Sequence, residues 1–103
     1  MRENTLKTAW SKGDPTVGLW LSAADPVTVE MLAGVGFDYL CLDAQHGLVD
    51  YRNAVPSLQA QKGSASIPIA RAPWNEPGII GKLLDAGMMG IIIPMVNTVA
   101  EAE

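Results

Sequence analysis

The chain has 103 residues, room for one domain that buries roughly 60–65% of its unfolded surface. Apolar residues make up 49% and charged residues 17%, which excludes a disordered or polyelectrolyte tail. Seven basic against eleven acidic residues leave a net charge of −4 with no basic cluster, which argues against nucleic acid or an anionic membrane as a partner.

The single cysteine, Cys41, cannot build a disulfide framework, so a reducing compartment is expected. Residues 1–7 have no apolar h-region and include Glu3, unlike a secretory signal. The longest apolar stretch, 88–96, is broken by Gly90 and Pro94 and is far short of the ~18 residues of a spanning helix. A soluble, cytoplasmic protein is the expectation.

In chain order, a short helix is predicted over about Thr5–Lys12, closed by Gly13. Four apolar runs follow, at 17–21, 39–42, 67–70 and 91–94. They are near-continuous rather than alternating, as in strands of a parallel sheet buried on both faces. Their starts are 22, 28 and 24 residues apart, which fits a strand, a crossover helix and two short loops. Asp25 can cap the first crossover helix, with Pro26 at its first position and a stripe of Val27, Met31, Leu32 and Val35. The second is expected from near Asn53, because Pro56 is tolerated only in a first turn. The third begins after Asn75, with Pro77 in its first turn, a stripe of Ile80, Leu83 and Leu84, and Gly87 as its cap. Gly78 and Gly81 within it imply close packing against the sheet. Thr98 and Glu101 match a capping box, so another helix is expected to start there.

Parallel strands with right-handed crossovers allow a small open sheet or part of a (β/α)8 TIM barrel. A capping box this late in the chain favours the barrel. We expect residues 1–103 to be the N-terminal half of one α/β barrel domain, cut at the start of the fourth barrel helix.

In either architecture function sits at the C-terminal ends of the strands. Those positions hold Trp20 and Ser22, then the run Asp43-Ala44-Gln45-His46-Gly47, then Arg71 with Trp74 and Asn75, then Pro94 and Asn97. His46, the sole histidine, suits proton transfer near neutral pH, against the plain alternative of an ordinary loop histidine. Asp43 either orients its imidazole or simply closes the strand and caps the loop. Arg71 ends an apolar strand, where a charge needs a partner. Its fork suits a ligand carboxylate or phosphate, or a structural salt bridge. Trp20 and Trp74 wall a pocket or pack. Cys41 reads as core, and Asp85, near a helix end, as solvent-facing. There is no Walker loop, no dinucleotide fingerprint and no complete metal site.

Taken together, the segments 17–21, 33–39, 42–47, 71–77, 83–87 and 93–96 resemble the start of the HpcH/HpaI-type class II pyruvate aldolases of the phosphoenolpyruvate/pyruvate barrel group. The resemblance covers nearly the whole chain. It implies a metal-dependent barrel enzyme that reversibly cleaves a 4-hydroxy-2-oxo acid to pyruvate and an aldehyde through a stabilised enolate. It implies that His46 is the proton-transfer histidine, that Arg71 and Trp20 bind substrate, and that Asp43 is the strand-end aspartate. Asp85 would complete a dyad with a histidine across a subunit boundary in a homo-oligomer, a trimer or hexamer. A divalent metal (Mg²⁺, Mn²⁺ or Co²⁺) is implied, with carboxylate ligands beyond residue 103 and none within this segment. Gln45 departs from the glutamate common before the histidine. The alternatives are a citryl-CoA-type lyase of the same group, or a non-catalytic fragment; the segment alone is expected to be inactive.

Overall fold

The computed structural model describes residues 2–103. Its elements are α1 (Thr5–Lys12), β1 (Gly18–Leu21), α2 (Pro26–Ala33), β2 (Tyr39–Asp43), α3 (Tyr51–Ala60), β3 (Ile67–Arg71), α4 (Pro77–Ala86), β4 (Gly90–Ile92) and α5 (Val99–Ala102). Among the described residues no helix is long and apolar enough to cross a membrane.

Local chemistry sets the helix boundaries. Asp25 accepts the Thr28 N–H with Pro26 next in line, so α2 starts where a capping carboxylate and a pre-set φ coincide. Gly87, at φ 116°, ends α4 in a left-handed cap. Thr98 and Glu101 form the predicted capping box of α5. Two expectations are corrected. Helix α3 begins at Tyr51, because Asp50 and Asn53 form a reciprocal capping box, and Pro56 is carried inside the helix. The α4 glycines are not packing contacts: a Cβ at Gly81 meets nothing within 4 Å, and one at Gly78 meets the capping carboxylate of Glu76.

The four strands are parallel and lie in the order β1-β2-β3-β4. Strand alternation splits the core in two. Leu21, Leu40, Leu42 and Ala70 face one way and pack on Val29 and Ala33 of α2, Ala54 of α3 and Leu83 of α4. Cys41, Ile67 and Ile69 face the other way and meet Leu6 of α1. All three crossover helices therefore lie on one face of a sheet whose order never reverses. That is the arrangement of a (β/α)8 barrel wall; a doubly wound sheet reverses its order and covers both faces. The N-terminal segment is tied across the strand-start end, where the Arg2 guanidinium donates to the Ser64 and Ser66 carbonyls and Asn4 Nδ2 donates to the Met89 carbonyl.

Candidate active site

The site is built at the opposite, strand-end face. Asp43 ends β2, Arg71 ends β3, and the parallel register pairs them directly. Arg71 Nε donates to Asp43 Oδ1 at 3.0 Å and Nη2 donates to Oδ2 at 2.6 Å, a two-point fork. Trp20, on the same face of β1, donates its indole Nε1–H to Oδ2 at 3.1 Å. The backbone N–H groups of Gln45 and His46 donate to Oδ1 at 3.0 and 3.1 Å. Five donors thus converge on a carboxylate that is 4% exposed. The Arg71 fork, against the opposing effect of burial, holds the Asp43 carboxyl well below the usual carboxylate range, and the Trp20 and loop N–H groups add to it.

Arg71 keeps capacity for a ligand. Its Cζ lies 5.1 Å from the Trp20 ring centroid, a cation–π contact that fixes the guanidinium plane. Of the five N–H groups of an arginine, two serve Asp43, so three remain on its outer edge. The side chain is 23% exposed, so an anion can reach that edge. The salt bridge left open by the sequence is therefore present, and so is the loop cap at Asp43.

His46 is exposed beside this cluster. Asp43 holds it through its backbone N–H, and among the described residues no hydrogen bond joins the carboxylate to the imidazole. The His46 loop is anchored on both flanks: Ala44 N–H donates to the Arg71 carbonyl at 3.0 Å, and Leu48 N–H to the Ser22 carbonyl at 2.6 Å. Asp85 is exposed near the C-terminal end of α4, which returns to the strand-start end, so one chain does not bring it to His46. Cys41 is fully buried, and burial pushes its thiol up to about 11, consistent with a core residue. Two cavities, of about 340 and 930 Å³, lie at the strand-start end, lined by residues such as Phe37 and Ser66 or Pro68 and Met88. Cavity size does not mark the site; the converging charges do.

Among the described residues no group of three or more His, Cys, Asp or Glu comes together to hold a metal ion. Both Asp43 oxygens are committed to the five donors. The residues of this segment do not fit a metal cage of their own. The Trp20 bond to Asp43 and the Ser22 anchor have no local sequence signal, because both depend on how the strands align.

The sequence pattern of the HpcH/HpaI aldolase/citrate lyase family matches residues 16–103. The chain belongs to that family. It is 43% identical over 100 residues to the 5-keto-4-deoxy-D-glucarate aldolase of Escherichia coli, an alignment covering 97% of this chain and 39% of that protein. The crystal structure of an HpcH/HpaI aldolase/citrate lyase family protein from Burkholderia cenocepacia J2315 superposes with a TM-score of 0.90 at 35% identity, over 97% of this chain and 40% of that one. The citrate synthase SbnG superposes at 0.81 with 31% identity, over 91% and 38%. The chain thus spans about two-fifths of the length of the relatives it matches.

Proposed function

We propose that this chain is the N-terminal portion of a pyruvate-type aldolase that reversibly cleaves a 4-hydroxy-2-oxo acid to pyruvate and an aldehyde. The observation that carries the reading is the Arg71–Asp43–Trp20 cluster at the strand ends, with an exposed histidine beside it. The 43% identity to a sugar-acid aldolase supports it and points to polyhydroxylated oxo acids as the substrate class.

In this reading the outer edge of Arg71 takes the substrate's carboxylate and keto oxygen, where its fixed charge favours the oxygen that becomes negative. His46 removes the proton of the 4-hydroxyl. The C3–C4 bond breaks, its electron pair passes into the enolate, and C4 leaves as the aldehyde. The same imidazole returns the proton to C3, giving the pyruvate methyl group. Asp43 acts as a positioning residue, fixing Arg71 from one side and the His46 backbone from the other. A divalent metal belongs to the proposal as a Lewis acid whose carboxylate ligands lie outside this segment. Asp85 would face the His46 of a neighbouring copy in a homo-oligomer. The second reading, favoured by the likeness to a citrate synthase, keeps the same face for carbon–carbon bond formation on a different oxo acid.

The test uses a completed chain, in which this chain replaces the matching segment of the Escherichia coli aldolase. With Mg²⁺ or Mn²⁺ and a 4-hydroxy-2-oxo acid, pyruvate release is followed with lactate dehydrogenase and NADH. Release that is lost on Arg71→Ala supports the reading. Release no faster than the buffer rate contradicts it, and turnover of citrate instead supports the second.

A further inference from the structure

Building on the proposed role of His46, we infer that Gly47 is a positioning residue for that histidine. The loop that carries it can lie against the end of β1 only because position 47 has no side chain. A Cβ at Gly47 would clash with the Asp43 carbonyl oxygen and stand 2.7 Å from the Ser22 carbonyl oxygen and 3.0 Å from Ser22 Cα. All three are backbone atoms, so no change of rotamer relieves the contact. The requirement is steric: Gly47 is not among the glycines with positive φ.

Gly47 sits between the two anchors of the loop. On one side the His46 N–H reaches Asp43 Oδ1 at 3.1 Å, and on the other the Leu48 N–H reaches the Ser22 carbonyl at 2.6 Å. The atoms it presses against belong to Asp43, held by its ladder with β3, and to Ser22, the residue that directly follows β1. A side chain at 47 therefore displaces the loop, and its nearest passenger is His46. The Trp20–Asp43–Arg71 cluster is carried by three paired strands and keeps the three side-chain donors to Asp43 when the loop moves. Gly47 consequently governs proton transfer separately from substrate binding.

The test follows deuterium entry into the pyruvate methyl group in D₂O, using the completed chain, its Gly47→Ala variant, and both again with His46→Ala. The expected result is a tenfold or greater fall in exchange kcat for Gly47→Ala, with pyruvate KM within threefold of the parent. In the His46→Ala background the glycine substitution costs less than twofold. Should Gly47→Ala not fold, Leu48→Pro deletes the donor to Ser22 from the other side and is expected to give the same split of kcat from KM. An exchange kcat within twofold of the parent, or an equal loss with and without His46, overturns the inference alone. A parent whose exchange is not reduced by His46→Ala overturns the proposed role of the histidine and this inference with it.

Discussion

Replacing Asp43 with asparagine changes one oxygen to an amide nitrogen at constant shape, and its effect can be worked from the donors. If the remaining oxygen stays at the Oδ1 position, the new NH₂ faces Arg71 Nη2 and Trp20 Nε1; if it stays at Oδ2, it faces Arg71 Nε and two backbone N–H groups. At least two donors lose their acceptor either way. A hydrogen bond to a charged group contributes about 1.5–3 kcal/mol, and water reaching Trp20, 42% exposed, recovers part of it, so a loss of about 2–4 kcal/mol is expected for Asp43→Asn. Urea denaturation of the completed chain at pH 7, compared with the variant at equal m-value, measures it. The pH dependence gives a second arm. A carboxyl held below its unfolded value, about 3.9, contributes stability that is fully present above that pH and is lost as pH falls below it toward the folded value. The gap between parent and variant should stay constant from pH 8 to 5 and narrow below pH 4. A gap under about 0.5 kcal/mol at neutral pH, well inside the range of an ordinary surface substitution, would refute the argument that five donors converge on this carboxylate.

Arg71→Lys keeps the charge but not the fork, and a pyruvate KM raised tenfold or more is expected in steady-state assays; an unchanged KM means the outer edge of Arg71 does not bind substrate. Cys41 should resist thiol reagents in the native chain at pH 8, since its thiol is buried and protonated until about pH 11, and should react at once in denaturing urea. Native-state labelling at a free-thiol rate would contradict its placement in the core.

Most of the frame was legible from end signals. The Asp25-Pro26 pair, the Thr98–Glu101 box and Gly87 mark boundaries with short side-chain contacts that depend on nearby residues only. Pro56 points to a helix start near Asn53, whereas the Asp50–Asn53 capping box starts α3 at Tyr51 and leaves Pro56 inside the helix. The pairing of Asp43 with Arg71 crosses 28 residues and rests on register, which no local pattern encodes. The sequence could place both at strand ends without choosing between ligand binding and a salt bridge. The structure has the salt bridge and leaves three guanidinium N–H groups beyond it. Asp85 shows the reverse: its helix position was clear, yet α4 carries it to the far end from His46.

Proton transfer by His46 is the step on which the proposed aldolase chemistry depends. With pyruvate and Mg²⁺ or Mn²⁺ in D₂O and no aldehyde present, the methyl signal of pyruvate should fade steadily with the completed chain and at least a hundredfold more slowly with His46→Ala. Equal rates in the two proteins would contradict it.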